Sequence, residues 1–116
     1  MSRFDILNSK VTQDMLRGLL KLYILRLVLD QRLHGYAIMD KLKAMTKSHW
    51  RPSPGSIYPA LRSLEKAGLV KSVYERNRRL YTITPLGRKF VRAVSLNVEE
   101  ITDDIRALFK VAPEKA

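Results

Sequence analysis

Residues 53–70 read SPGSIYPALRSLEKAGLV, and this stretch decides the fold. Ser53 followed by Pro54 predicts the start of a helix, because a serine oxygen accepts an unpaired N–H at the N-cap and proline at the first position sacrifices no hydrogen bond. Apolar residues at helical spacing predict its buried face: Ile57, Leu61 and Leu64. Gly68 predicts the end of the helix, because glycine adopts the left-handed conformation beyond a C-terminus without steric penalty.

A β-hairpin is predicted directly after this helix. Residues 69–75 have the apolar and β-branched character of a strand, and residues 80–84 have the character of a returning strand. Between them, Arg76-Asn77-Arg78-Arg79 is predicted to form a short polar turn, which would give the hairpin a cationic tip.

Two helices are predicted before this stretch. The first covers residues 12–30 with Thr12 as a candidate N-cap, and its apolar residues occupy most of its circumference, which indicates burial on several sides. A break at residues 31–35 precedes a second helix over residues 35–45. A polar loop follows, in which Trp50 is expected to pack against the core, with a ligand-stacking role as the alternative.

The last predicted helix carries a heptad pattern. Thr84-Pro85 repeats the cap-then-proline signal and predicts a helix that ends near residue 110. Its apolar residues alternate at spacings of three and four, as a coiled-coil seam requires: Val91, Val94, Val98, Ile101, Ile105 and Leu108. The first helix also has an apolar surface that needs cover, represented by Leu16, Leu20 and Tyr23. Together these two surfaces predict a homodimer interface.

The direction of that pairing stays open. β-Branched residues at one seam position favour a parallel pair, while so few heptads are also compatible with antiparallel packing. The alternative is an amphipathic helix that folds back on its own domain.

Three helices, a hairpin and a final helix form the winged helix-turn-helix layout. We therefore expect a mainly α fold with a small β-hairpin, a winged helix-turn-helix extended by a C-terminal dimerisation helix. The chain has 116 residues, enough for one compact core. The expected divisions are an N-terminal arm, the winged helix-turn-helix domain, the dimerisation helix and a tail, at residues 1–11, 12–84, 85–110 and 111–116.

The excess positive charge lies in the middle of the chain. The net charge is +11, and from Lys41 to Arg92 thirteen Lys or Arg residues accompany only Glu65 and Glu75. The remaining residues contain nine basic and nine acidic side chains, which cancel. A concentrated basic region attracts polyanions, so nucleic acid is the expected partner.

Nothing in the sequence predicts an enzyme, a metal or a cofactor. Cysteine is absent, and His34 and His49 stand fifteen residues apart without a carboxylate at metal-ligand spacing. Leu16 to Leu29 is interrupted by Arg17, Lys21 and Arg26, which argues against a membrane span, and the N-terminus lacks the pattern of a signal peptide. We expect a cytoplasmic protein associated with the nucleoid.

Double-stranded DNA is the partner that the helix of residues 53–68 fits best. Small residues at its start leave amides open to a phosphate, and outward-facing positions can meet base edges or backbone. The candidate DNA contacts on this helix are Ser53, Gly55, Ser56, Pro59, Arg62 and Lys66. The hairpin tip adds four more candidates, which can follow the flanking backbone: Arg76, Asn77, Arg78 and Arg79.

The chain resembles the PadR family of transcriptional regulators. The resemblance rests on HGYAI at residues 34–38, GSIYPALRSLEKAGLV at residues 55–70 and RLYTITPLGR at residues 79–88. It implies a winged helix that dimerises through its first and last helices and binds pseudo-palindromic operators, usually as a repressor. It also implies DNA contacts by Tyr36 and Tyr58. Some members release DNA on binding aromatic compounds, but the last helix here contains only Phe90 and Phe109 as aromatic residues, so no particular effector is predicted.

The sequence thus predicts a homodimeric, sequence-specific DNA-binding regulator. Two alternatives remain at this point: a sequence-tolerant architectural DNA-binding protein, which the +11 charge permits, and a winged-helix module that docks a protein partner.

Overall fold

A computed structural model describes residues 10–45 and 52–110, with side chains described from residue 18 onward. Its helices are α1 (Lys10–Asp30), α2 (Gly35–Met45), α3 (Pro54–Lys66) and α4 (Pro85–Phe109). Its strands are β1 (Leu33–His34), β2 (Val70–Glu75) and β3 (Arg78–Ile83). The predicted mainly α fold with a small β-hairpin and a long last helix is confirmed. The arm of residues 1–9, the loop residues His49 and Trp50, and the tail of residues 111–116 lie outside the described residues.

The first helix begins earlier than the sequence pattern predicted. Lys10 is already helical, so Thr12 lies within the first turn of α1 and is not its N-cap. The second helix has the predicted bounds, from Gly35 to Met45.

The sheet has three strands, whereas the sequence predicted a two-stranded hairpin. Leu33 and His34, in the predicted break, pair antiparallel with Tyr81 and Leu80 of β3, so the strand order is β1-β3-β2. A two-residue strand is too short to show a periodicity. Its pairing partner lies almost fifty residues further along the chain, so no local pattern predicts it.

The hairpin turn contains two residues rather than four. Arg76 and Asn77 adopt φ of 53° and 64°, a pair of left-handed residues that matches the tight turn favoured by twisted hairpins. The predicted turn positions of Arg78 and Arg79 are therefore wrong: both lie in β3, opposite Glu75 and Tyr74 respectively. We call β2, β3 and their turn the wing.

The core lies where α1, α2, α3 and the sheet meet. Its fully buried side chains come from all three helices: Leu20, Ile24, Leu25, Ile38, Leu42, Ile57 and Leu61. The predicted buried face of α3 is confirmed, since Ile57, Leu61 and Leu64 are each at most 3% exposed. Leu20, which the sequence placed at the dimer interface, is 1% exposed within the single chain and belongs to this core instead.

Both ends of α3 are well defined. The Ser53 carbonyl accepts the N–H groups of Ser56 and Ile57 at 2.9 Å, but its hydroxyl makes no capping hydrogen bond, contrary to the prediction. At the other end Gly68 has φ of 77°, and the amides of Gly68 and Leu69 donate to the carbonyls of Glu65 and Leu64. These two bonds form the Schellman motif that glycine makes possible, and they send the chain directly into β2.

Helix α4 is anchored at its first turn. The Thr84 hydroxyl accepts the amide of Gly87 at 3.0 Å, which confirms the predicted cap, and donates to the Gly68 carbonyl at 2.6 Å. Gly87 packs against the backbone of Leu69 so closely that a Cβ atom there would collide with the Leu69 carbonyl oxygen. The start of α4 is thereby fixed to the turn that ends α3.

Candidate nucleic-acid interface

The outer face of α3 consists of Gly55, Pro59, Arg62 and Lys66, which are all exposed. These positions recur at spacings of three and four residues, so they form one stripe opposite the buried stripe. Arg62 and Lys66 make no hydrogen bond or ion pair with any other described residue. The stripe therefore presents two cations without an intramolecular partner among the described residues, and a glycine near the start of the helix.

Two predicted contacts on α3 lie at the sides of this stripe. Ser56 is half-buried and lines a hollow between α1 and α3 together with Gly18 and Lys21. Tyr58, on the other side, packs partly against the core and reaches toward Gly35 of α2. Ser53 is exposed at the N-cap. The outer face and its two sides thus present different chemistry.

A concave surface connects α2, α3 and the wing. A hollow of about 200 Å³ is lined by Tyr36, Tyr58, Arg78, Arg79 and Tyr81, among others. Tyr36 is 66% exposed in the first turn of α2. The structure thus brings the two tyrosines implied by the resemblance to one place, beside the basic strand of the wing.

The tip of the wing is more compact than predicted. Arg76 and Asn77 occupy the turn, and Arg78 follows as the first residue of β3, with all three side chains exposed. Neither Arg76 nor Arg78 makes an ion pair with another residue in the described part of the chain. These are side chains that can reach a phosphate without breaking an existing contact.

Arg79 differs from its neighbours because its guanidinium makes hydrogen bonds to other side chains of the same chain. Its Nη1 donates to Ser72 Oγ at 3.2 Å and lies 3.7 Å from Glu65 Oε1, while its Nη2 donates to Tyr74 Oη at 3.0 Å. Ser72 in turn donates to Glu65 Oε2 at 3.0 Å. We call these four residues the Arg79 cluster. It joins the wing to α3.

The Arg79 cluster also contains aromatic contacts. The guanidinium carbon of Arg79 lies 4.9 Å from the centre of the Tyr74 ring, within the range of a cation–π interaction. The hydrogen bond to Tyr74 is the main influence that raises the pKa of Arg79 above its ordinary value. Burial raises the pKa of the neighbouring Tyr81 phenol, and the positive charge of Arg79 partly opposes that shift.

Sequence reasoning missed Glu65, Ser72 and Tyr74. Glu65 was one of only two acidic residues in the basic region, which was the available signal that it has a cationic partner. Tyr74 and Arg79 face each other across the hairpin, but this pairing depends on a two-residue turn and would not exist with the predicted four-residue turn.

The far part of α4 carries an uncovered apolar stripe. Val91 and Val94 are half-buried, and Val91 packs against the core. Beyond them exposure rises along the predicted seam, to 45% at Val98, 49% at Ile101, 55% at Ile105 and 76% at Leu108. On α1, Tyr23 is 38% exposed, while the side chain of Leu16 lies outside the described residues.

Other kinds of site find no support in the described part of the chain. Among those residues no group of His, Asp and Glu could hold a metal ion. Residues 10–45 and 52–110 likewise include no helix of the length and apolarity that a bilayer span requires.

The arrangement defines a class of protein. Helices α2 and α3 form a helix-turn-helix, and the wing lies beside α3. Both α3 and the wing present cations to solvent that have no ion-pair partner within residues 10–45 and 52–110. This is the architecture of a winged-helix DNA-binding protein.

Comparison with known proteins identifies the family. The model of the transcriptional regulator PadR-like family matches residues 24–93. A transcriptional regulator of Mycobacterium tuberculosis, Rv3488, is 35% identical over 102 residues, which are 84% of this chain and 83% of that protein. The chain belongs to the PadR family, whose members are DNA-binding transcriptional regulators rather than enzymes.

Solved structures agree with this assignment. A transcriptional regulator from Clostridium thermocellum matches with a TM-score of 0.71 and 31% identity, over 84% of this chain and 96% of that one. A PadR-like transcriptional regulator from Bacillus cereus also reaches a TM-score of 0.71, over 85% of this chain and 99% of that one. Its identity is 24%, so this second likeness shows the fold alone.

Proposed function

We propose that this protein is a homodimeric repressor that binds a pseudo-palindromic operator. The observation that carries the proposal is the separation of two surfaces on one chain. The outer face of α3 and the wing tip present cations that have no partner among the described residues, while the far part of α4 presents an apolar stripe of exposed side chains. The first surface suits DNA, and the second suits a second copy of the chain.

The proposed arrangement pairs two chains through α4, with support from exposed residues of α1 such as Tyr23. Two α3 helices would then face successive major grooves about 34 Å apart, and the half-sites of the operator would share the twofold symmetry of the dimer. Acidic side chains line α4 beside the stripe, including Glu99, Glu100, Asp103 and Asp104. Their charge would repel DNA and keep the dimer end away from it.

Each α3 would lie with its outer face toward the bases. Arg62 is the proposed reader, because a guanidinium can form two hydrogen bonds to one guanine. Lys66, Arg76 and Arg78 would contact phosphates, which position the protein without selecting a sequence. The sugar–phosphate backbone that lies between the contacts of α3 and those of the wing would occupy the concave surface lined by Tyr36 and Tyr58.

The test is fluorescence anisotropy of the full-length protein on DNA from its own upstream region, against a scrambled duplex of equal length near 150 mM salt. A preference of about a thousandfold or more for the native duplex is expected for a specific regulator. The Arg62→Ala variant is expected to lose about 1–3 kcal/mol of that discrimination. Arg106→Ala is the charge-matched control, because Arg106 lies near the end of α4 and pairs with Asp103.

The other outcomes favour the alternatives. Equal binding to both duplexes would indicate an architectural DNA-binding protein, which the +11 net charge also allows. Absence of binding to either duplex would indicate a protein-docking module. Transcription from the same promoter in vitro then separates repression from activation, and repression is the expected result.

A further inference from the structure

Arg78 and Arg79, two neighbouring residues of β3, lie on opposite faces of the sheet. In the register of the hairpin, Arg78 lies opposite Glu75 and Arg79 lies opposite Tyr74. Successive residues of a strand point to opposite faces of the sheet. Arg79 shares its face with Ser72 and Tyr74, and this face is turned toward α3, because Ser72 reaches Glu65. Arg78 therefore lies on the other face of β3 from the Arg79 cluster, although both arginines border the concave surface.

The hydrogen bonds of the Arg79 cluster are mutually consistent. The Ser72 hydroxyl has one proton, which goes to Glu65, and its lone pairs accept from Arg79. The backbone carbonyl of Arg79 also lies 3.1 Å from His34 Nδ1, so the same residue is tied to β1. The Arg79 side chain is 45% exposed, but its planar guanidinium directs its donors at Ser72, Glu65 and Tyr74, so contact with a DNA phosphate would require breaking these interactions.

We infer that Arg79 and Glu65 are positioning residues that hold the wing against α3, and that the wing contacts phosphates through Arg76 and Arg78 instead. The inference rests on the proposed DNA binding by α3 and the wing. It assigns a positioning role to Arg79 and a phosphate contact to Arg78. Fixing the wing relative to α3 lets the wing tip reach the backbone while α3 lies in the groove. Glu65 thus contributes to binding, although its own charge repels DNA.

Salt dependence separates a phosphate contact from a positioning residue. Arg78→Ala and Arg79→Ala remove the same charge from neighbouring positions, so each is the matched control for the other. Removing a phosphate contact lowers the steepness of log affinity against log salt by about one. We expect this reduction for Arg78→Ala, whereas Arg79→Ala weakens binding at every salt concentration and keeps the slope of the unmodified protein. An equal loss of slope in both variants would overturn the inference.

Hydrogen exchange in the DNA-free protein tests the positioning role directly. Arg79→Lys keeps the charge but replaces the two nitrogens that bind Ser72 and Tyr74 separately with a single ammonium, and Glu65→Gln keeps the size but removes the charge. We expect the amides of β2 and β3 to exchange several-fold faster in both variants, with no change in Arg78→Ala. Unchanged protection in Arg79→Lys and Glu65→Gln would overturn the inference, even if Arg79→Ala fails to fold.

These measurements do not depend on the operator. If the unmodified protein binds native and scrambled duplexes equally, the proposal of a specific repressor fails, yet the salt slopes on either duplex still compare Arg78 with Arg79. If it binds no DNA, the assignment of phosphate contacts fails as well, and the exchange rates alone decide whether the cluster holds the wing.

Discussion

The ring of Tyr58 occupies the space that a side chain on Gly35 would need. A Cβ atom at Gly35 would lie 2.9 Å from both Cε1 and Oη of Tyr58, closer than real Cβ atoms approach other heavy atoms. Gly35 begins α2 and Tyr58 lies in the first half of α3, so this contact sets how near the two helices of the helix-turn-helix approach. Gly35, Tyr36 and Tyr58 all line the concave surface.

Gly35→Ala is expected to displace Tyr58 and to weaken operator binding. The added methyl group must push a rigid, half-buried ring, and overpacking of this kind costs about 1–3 kcal/mol of the free energy of unfolding. In a Tyr58→Ala background the same substitution is expected to be neutral or stabilising, because the obstructing ring is gone. Urea denaturation of the four proteins in this double-mutant cycle measures the coupling.

Gly18→Ala serves as the control for that cycle. Among the described residues, no atom outside the backbone of its own helix and its two chain neighbours lies within 4 Å of a Cβ built at Gly18, and the residue is inside α1. Alanine there is expected to stabilise the protein by up to about 1 kcal/mol, from helix propensity alone. Additive effects of Gly35→Ala and Tyr58→Ala would contradict the proposed steric coupling.

Thr84→Ala is expected to loosen the junction between α3 and α4. The variant loses the cap on the Gly87 amide and the hydrogen bond to the Gly68 carbonyl. A lost cap costs about 0.5–2 kcal/mol, and the unpaired carbonyl adds to this. Thr84→Ser keeps the hydroxyl and is expected to remain near the stability of the unmodified protein, as measured by thermal unfolding. Equal losses in both variants would show that the methyl group matters instead.

The sequence predicted the parts of this fold that local rules determine. The helix bounds of Gly35–Met45 follow from periodicity, and the end of α3 shortly before Gly68 follows from a positive φ that glycine tolerates. The strand β1 was missed because its formation depends on β3. The wing turn was misjudged because a polar, charged run, Arg76 to Arg79, suggests one continuous turn, whereas the register places Arg78 and Arg79 in β3, where the exposed Arg79 side chain hydrogen-bonds to Ser72.

In the candidate site too, the features that local sequence patterns determine were predicted and those that depend on long-range pairing were not. The exposed cations of α3 and the wing tip could be predicted, because a residue opposite an apolar stripe faces solvent. The Arg79 cluster could not, since it joins residues of α3, β2 and β3 through a register that no local pattern encodes.

Alkaline pH is expected to destabilise the protein through Tyr81. Burial raises the pKa of this phenol above the ordinary value of 10.0, so the folded chain keeps the proton to higher pH than the unfolded chain. The free energy of unfolding therefore falls as pH rises above about 10, until Tyr81 also ionises in the folded state. Urea denaturation at several pH values on both sides of that point measures the slope.

Tyr81→Phe is the informative variant for this prediction. It is expected to show a shallower decline with pH than the unmodified protein, since it has no proton to lose at that position. Tyr36→Phe removes the phenol of a tyrosine that is 66% exposed and provides the matched control. An unchanged slope in Tyr81→Phe would assign the alkaline transition to other groups.

Ile105→Glu is expected to convert the proposed dimer into a monomer. Ile105 is 55% exposed within the stripe on α4, and pairing would bury it against a second chain. An unpaired charge buried there costs several kcal/mol, more than a short two-helix seam recovers. Sedimentation equilibrium is expected to show half the mass of the unmodified protein, and operator affinity is expected to fall because two half-sites no longer bind together.

Leu96→Glu is the control for the dimer prediction, because it introduces the same charge on the same helix. Leu96 is 80% exposed and lies two residues before Val98, on the opposite side of α4 from the stripe. The mass is therefore expected to stay that of a dimer. If Leu96→Glu dissociates the protein and Ile105→Glu does not, the chains pair through the other side of α4. If neither variant changes the mass, the stripe is not the interface, and the two α3 helices must be spaced by a different contact.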